Sequence, residues 1–393
     1  MKKIFIALRD FNTGGVQQSL INLLQNFKSE IENHEIQFDI LVLKKGGPLL
    51  EQAEKLANII EANQRFSFFG IENNEAKKMG LLYYLKRSAL AVISKIFGNK
   101  QIISRALKKE VPRGEYDVAI SYSVSISNKM MYAGWSEIVL EKISAKEKWV
   151  YIHNDFVNSS LNNNYCLGLL SRFDKILFVT KSCEESFNES FSEFRDKTDN
   201  LYNFIDTKSV FELAKENACL SKNKGINIIS VSRLSSEKGH LRVLRVLKRL
   251  KEEGLSFKWH VLGNGPMEQQ IRDEIRKSDL EDYVELYGNQ TNPYKFIKET
   301  DLLLQASFHE SFGLVLINAF MLGVPVVTTN TISAKEVVGE RGFICENNEE
   351  SLYNMLKSVI IEKAVVDDKK AQLKNYKYEN DNIKIKFKQL IGM

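Results

Sequence analysis

Cysteine is sparse and scattered in this chain of 393 residues. Cys166, Cys183, Cys219 and Cys345 form no Cys-x-x-Cys pair, which argues against a thiolate metal site or a disulfide framework and for a reducing cytosol. Long apolar runs are missing too: none reaches the roughly 18 to 20 residues that a membrane span needs. The run Ile4-Phe5-Ile6-Ala7-Leu8 turns polar at Arg9-Asp10, too short for a signal peptide and suited to a first buried strand. A Gly-x-Gly-x-x-Gly dinucleotide fingerprint is absent. Asn12-Thr13-Gly14-Gly15 does not fit it, and Gly263-Asn264-Gly265 fails because Glu268 stands where the third glycine belongs. No internal repeat is visible. Acidic residues are absent between Lys77 and Lys109, where nine basic ones occur: Lys77, Lys78, Lys86, Arg87, Lys95, Lys100, Arg105, Lys108 and Lys109. The net charge is only +5, so the rest of the chain is slightly acidic.

What is present is ordinary globular material, 44% apolar and 27% charged, in a chain long enough for two domains. Short apolar runs alternate with helix-period segments, the signature of parallel α/β units. In the first half the pattern predicts strands at Lys3–Leu8, Gln37–Leu43, Tyr116–Ser121, Lys148–His153 and Lys175–Val179. It predicts helices at Gly15–Phe27, Leu161–Phe173, Ser182–Ser190 and through the basic segment Leu81–Lys109. The rhythm restarts at Gly225 with strand Ile226–Ser232 and helix His240–Glu253, and continues to helix Glu349–Glu362. The expectation is a first domain over residues 1–205, a second over 206–370, and a tail, 371–393, packing back on the first. The polar stretch Asp367–Asn382 reads as loosely structured. Two doubly wound sheets in tandem place a cleft between their carboxyl ends, where open α/β sheets bind ligands.

Two segments of the second half carry chemistry. In Ser232-Arg233-Leu234-Ser235-Ser236-Glu237-Lys238-Gly239-His240 a strand ends, two cations follow five residues apart, and a glycine opens a helix. Arginine offers a fork to phosphate oxygens, lysine a mobile point charge, and the helix N-terminus its own positive field. Taken alone, a solvated turn explains this segment equally well. The second segment is Phe308-His309-Glu310-Ser311-Phe312-Gly313-Leu314, followed by an apolar helix containing Asn318. Here a carboxylate precedes a helix whose first N–H groups can hold a phosphate or a sugar oxygen. As a merely helix-proximal acid, Glu310 would contribute under about 1 kcal/mol.

The order Val231-Ser232-Arg233, Glu237-Lys238-Gly239, Leu262-Gly263-Asn264-Gly265-Pro266 and Glu310-Ser311-Phe312-Gly313-Leu314 resembles the GT-B-fold retaining glycosyltransferases of family four, the group 1 type. The resemblance spans nearly the whole chain and is strongest from Ile226 to Cys345. It implies two Rossmann-like domains facing across a cleft. It also implies that Arg233 and Lys238 hold the donor diphosphate and stabilise the leaving charge. Glu310 would contact donor-sugar hydroxyls, and Ser311, Phe312, Gly313, Leu314 and Gly263 would line the donor. Gly14 and Gly15 match the family's glycine-rich loop after the first strand, and His153 its strand-end histidine near the reacting sugar. A lone strand-end histidine is otherwise more often structural. In the family a second glutamate, eight residues after the first, binds the ribose; here Asn318 stands there, an amide without the charge-assisted strength of a carboxylate.

The resemblance further implies retaining, front-face transfer of a hexose from a nucleotide diphosphate sugar, a UDP-sugar, to a polysaccharide or lipid-linked acceptor. With no Asp-x-Asp pair in the sequence, a site without metal or other cofactor is expected, its cations and helix N-terminus replacing a divalent ion. The basic segment 77–109, with aliphatic and aromatic residues among its lysines, reads as an interfacial helix docking on anionic lipid at the cytoplasmic face of the cell membrane. A solvated helix packed on the first domain is the plain alternative, and no nucleic-acid motif supports a nucleic-acid partner. A non-catalytic partner of a transferase complex is the competing function, favoured by Asn318 and opposed by Arg233, Lys238 and Glu310. A sugar-nucleotide epimerase would need further acid-base groups that the sequence does not offer.

Overall fold

The structure, a computed structural model, describes residues 1–62, 68, 76–98, 114–125, 134–222 and 224–393, and the backbone alone of 73–75. It divides into two compact units, Met1–Ile205 with Asn380–Met393, and Asp206–Glu379.

The first unit is built on β1 (Lys2–Leu8), β2 (Ile36–Val42), β3 (Asn58–Glu61), β4 (Glu115–Ser121), β5 (Ser144–Ile152), β6 (Lys175–Phe178) and β7 (Thr198–Asn200). All pair in parallel in the order β3-β2-β1-β4-β5-β6-β7. Ile4 to Leu8 are buried throughout rather than alternately, as a central parallel strand covered on both faces requires. Five of the strands lie where apolar runs predict them. β3 has four residues with polar ends and β7 three polar ones, too short for periodicity to reveal them. The helix predicted through the basic segment covers Leu81–Phe97 and stops at Gly98, whose φ is 74°. Lys100, Arg105, Lys108 and Lys109 lie outside the described residues.

The second unit repeats the arrangement with β8 (Ile226–Val231), β9 (Phe257–Leu262), β10 (Val284–Gly288), β11 (Leu302–Gln305), β12 (Val326–Thr329) and β13 (Phe343–Cys345). The order is β10-β9-β8-β11-β12-β13, again all parallel. Helix His240–Glu252 buries Val243, Leu244, Val246, Leu247 and Leu250, a helical stripe, in a core that includes Trp259. Trp259 also donates its indole N–H to Ser230 Oγ at 2.9 Å, so the aromatic is satisfied as well as buried.

The expectation for Asp367–Asn382 is corrected. Helix Lys363–Leu373 runs into it, because Val366 and Leu373, seven residues apart on one face, are both buried. Lys370 also pairs with Asp301 at 2.8 Å. The polar composition reports only the outer face of this helix. The second unit runs past residue 370 to Glu379, and the final helix, Asn380–Leu390, belongs to the first. There Phe387 meets Phe27 edge-on at 5.2 Å, and the Glu30 carboxylate forms ion pairs with Lys384 at 2.8 Å and Lys388 at 2.7 Å.

Candidate active site

In both sheets the strand order reverses direction between two neighbours, β1 and β4 in the first unit, β8 and β11 in the second. The loops leaving the carboxyl ends of such a pair diverge and leave a crevice, the place where doubly wound sheets bind ligands. In the second unit these loops are Ser232–Gly239, after β8, and Ala306–Gly313, after β11. They are the two segments singled out by sequence, and the sheet sets them side by side.

Their side chains meet. Lys238 Nζ lies 2.8 Å from Glu310 Oε2, with both side chains mostly buried. Gln305, the last residue of β11, donates its amide to the same carboxylate oxygen. Ser333 donates its hydroxyl to the Glu310 carbonyl at 3.1 Å. The turn and the loop also share a backbone bond, Phe308 N–H to Glu237 O at 2.8 Å. Gly239 is indispensable here: its φ is 72°, and a Cβ would fall 2.1 Å from the Ala306 carbonyl oxygen. Gly313, also at φ 72°, caps helix Leu314–Met321, and its carbonyl accepts from Leu316 N at 2.9 Å. Ser311 and Phe312 are buried beside it. Asn318 follows one turn along, on the face of Leu314.

Arg233 stands apart from this pair. Its guanidinium is exposed and 3.5 Å from Glu237, a distance of little energetic weight at the surface. Gly263 donates its N–H to Gly288 O at 2.7 Å, and Asn264 O accepts from Leu234 N at 2.9 Å, so the glycine loop after β9 supports the Arg233 turn from behind.

Sequence reading misses Arg242. This guanidinium is 3% exposed and holds the start of the Glu310 loop. It donates to Ala306 O at 3.0 Å, to Ser307 O at 3.0 Å and to Asn347 Oδ1 at 2.7 Å, and it lies 4.1 Å from the centre of the Phe308 ring. The signal was available: a cation on the buried arc of helix His240–Glu252, one turn before Val246, needs partners.

In the first unit Gly14 caps helix Gly15–Asn26 after β1. Their loop is organised by Asp10, also missed, which is 3% exposed and accepts from Asn12 N at 3.1 Å, Asn12 Nδ2 at 2.8 Å and Gln17 Nε2 at 3.2 Å. His153 follows β5 and lies between aromatic rings, with centroids 4.2 Å from Tyr151 and 4.8 Å from Tyr122. Burial pushes its pKa down to about 3, so it is a neutral imidazole at ordinary pH. Asp155 is engaged by Asn158 at 2.9 Å in a local turn.

Two further buried histidines predict a pH dependence of the second unit. Burial lowers His240 to about 4, with Lys238 acting in the same direction and Glu237 against it. Burial likewise lowers His260 to about 4, with Glu285 opposing and Lys258 and Lys222 assisting. Both folded values lie below the 6.5 of an exposed histidine, so the unfolded chain takes up these protons first as pH falls. The contribution is complete above pH 6.5 and is lost progressively toward pH 4. The unfolding midpoint, followed by thermal melts, is expected to fall between pH 6.5 and 5, and the His240→Gln/His260→Gln variant to show a flatter profile over that window.

Residues 214–380 match the family model for glycosyl transferases group 1. The second unit is a group 1 glycosyl transferase domain. The fold of the chain is GT-B. A TarM mutant of S. aureus, solved with fondaparinux, alpha-GlcNAc-glycerol and UDP, superposes over 100% of both chains with a TM-score of 0.69 at 14% identity. HepE of Anabaena, solved with UDP and glucose, covers 100% of both chains at 0.67 and 15%. Among curated sequences, the chain aligns with the N-acetylgalactosamine-N,N'-diacetylbacillosaminyl-diphospho-undecaprenol 4-alpha-N-acetylgalactosaminyltransferase of Campylobacter jejuni. Identity is 33% over 216 residues, covering 54% of this chain and 57% of that one. The N-acetyl-alpha-D-glucosaminyl L-malate synthase of Bacillus anthracis is 30% identical over 194 residues, 48% and 50% of the two chains. The chain thus spans about half the length of the curated relatives it matches.

Proposed function

We propose that the protein transfers a hexose from a nucleotide diphosphate sugar, a UDP-sugar, to a lipid-linked or polysaccharide acceptor in cell-surface glycan synthesis. The observation that carries this reading is the Lys238–Glu310 pair at the strand-order reversal of a group 1 glycosyl transferase domain. Lys238, Arg233 and the first turn of helix Leu314–Met321 would answer the diphosphate charge without a metal ion. Glu310 would bond the sugar hydroxyls, Gly14 and Gly15 would help bind the donor, and His153 would act near the reacting sugar. Transfer proceeds with retention: the bond from the anomeric carbon to the phosphate oxygen breaks with its electron pair going to the diphosphate. The acceptor oxygen then bonds to the same face, and its proton passes to the departing phosphate. The C. jejuni relative, named for a diphospho-undecaprenol substrate, supports a lipid-linked acceptor, and UDP in HepE supports the donor. No helix among the described residues is long and apolar enough to cross a membrane. The reading places the protein on the cytoplasmic face, meeting anionic lipid through residues 77–109.

Calorimetric titration with UDP-sugars tests this proposal. Heat of binding from at least one donor is expected, and a folded protein that binds none is instead the non-catalytic partner that Asn318 favours. Asn318→Glu is expected to tighten donor binding about three- to tenfold by restoring a charged acceptor for the ribose hydroxyls. Unchanged affinity means that the ribose is held elsewhere.

A further inference from the structure

Helix Leu81–Phe97 is packed inside out. Arg87 and Ser94, seven residues apart on one face, are 7% and 0% exposed, whereas Leu81, Leu82, Leu85, Val92, Ile93 and Ile96 are 41–74% exposed. At 3.6 residues per turn these six occupy one arc of about 120°. Lys86 and Lys95, both exposed, stand at its two margins, and the exposed Lys77 and Lys78 precede its first turn. The helix is held from its other side: the Tyr83 ring stacks on Phe68 at 4.6 Å, and Lys77 lies over the Tyr84 ring at 5.6 Å. A helix packed by its own apolar stripe would show the opposite pattern.

The occupant of the apolar arc must satisfy both greasy side chains and unanswered positive charge. A second copy of the chain satisfies only the first. Pairing the same face about a two-fold axis brings the lysines of both copies together, and the sequence from Lys77 to Lys109 contains no acid to meet them. An anionic bilayer satisfies both, since acyl chains take the arc and headgroup phosphates the lysines at its margins. We propose that this helix lies in the plane of an anionic membrane, with Leu81, Leu82, Leu85, Val92, Ile93 and Ile96 inserted and Lys86 and Lys95 at headgroup level. This deepens the membrane part of the proposed function and rests on that reading only for its biological purpose.

The test is co-sedimentation of the full chain with vesicles of phosphatidylcholine alone or mixed with phosphatidylglycerol. Binding to the anionic vesicles is expected to be at least about tenfold tighter than to the neutral ones and to weaken in high salt. Leu85→Glu/Ile96→Glu is expected to lower it at least about tenfold again, with an unchanged melting temperature because both side chains are exposed. Equal binding to the two vesicle types, or a variant that binds as the parent does, overturns the proposal. So does a concentration-dependent dimer, seen by sedimentation velocity, that the variant abolishes in a chain without vesicle affinity. Donor calorimetry on the same samples separates the two readings: a chain that binds a UDP-sugar but no vesicle overturns the docking face alone.

Discussion

Lys238→Ala is expected to lower sugar transfer about 100- to 1,000-fold, the loss that follows removal of one preorganised group facing a developing charge. The ammonium is held at 2.8 Å from Glu310, so in the proposed reaction it would need little reorganisation as the diphosphate leaves. On the proposed function, the same contact means that in the free protein the carboxylate occupies the cation that would meet the donor phosphate. Glu310→Gln therefore moves two measurements in opposite directions. UDP is expected to bind about three- to tenfold tighter by calorimetry, because a competing charge is gone. Transfer is nevertheless expected to fall, because the sugar hydroxyls lose their charged acceptor. A variant that binds UDP no better than the parent would show that Glu310 and the diphosphate do not compete for Lys238. Lys238→Arg is expected to restore only part of the rate, since a planar fork does not reproduce a point charge.

The second large effect is expected from a residue with no place in the motif. Arg242→Met should destabilise the second unit by about 2–3 kcal/mol. A buried cation replaced by an apolar side chain of similar size can be neutral when its partner is removed with it. Here the partners are main-chain carbonyls, which remain. Ser307 O keeps a bond from the Thr329 hydroxyl at 2.6 Å, but Ala306 O loses the guanidinium donors. For a domain of this size the loss corresponds to a melting-temperature drop of about 5–10 °C. Because Ala306 and Ser307 begin the loop that ends at Gly313, transfer should fall about tenfold even where the protein is fully folded. Arg242→Lys returns one donor and should recover about half of the stability. Chemical denaturation monitored by Trp259 fluorescence in a Trp135→Phe/Trp149→Phe background measures the first effect, and donor turnover the second. Full activity in a destabilised Arg242→Met protein would separate the packing role from the positioning of the loop.

Much of this arrangement is legible in the sequence, and the residues that are not share a physical reason. Strands buried on both faces announce themselves as unbroken apolar runs, as in Ile226–Val231 and Leu302–Gln305. β3 and β7, with Asn58-Ile59-Ile60-Glu61 and Thr198-Asp199-Asn200, lie toward the sheet edge, where partial exposure permits polar residues. Helix Lys363–Leu373 was obscured in the same way, since two buried residues suffice to hold it and the rest are polar.

The sequence by itself determined the local chemistry: a cationic turn after one strand, a carboxylate before one helix, and a basic amphipathic helix. These depend on residue type and short-range period, which the chain carries openly. Only the tertiary structure decided which distant pieces meet. Lys238 and Glu310 are 72 residues apart, and Arg242 and Asn347 are 105 apart. They come together because β8 neighbours β11 rather than another strand, a choice made by the packing of the whole sheet. The tertiary structure likewise decided that Arg87 and Ser94 face inward and the leucines outward. The period of a helix fixes which residues share a face, and its neighbours alone decide which face is covered.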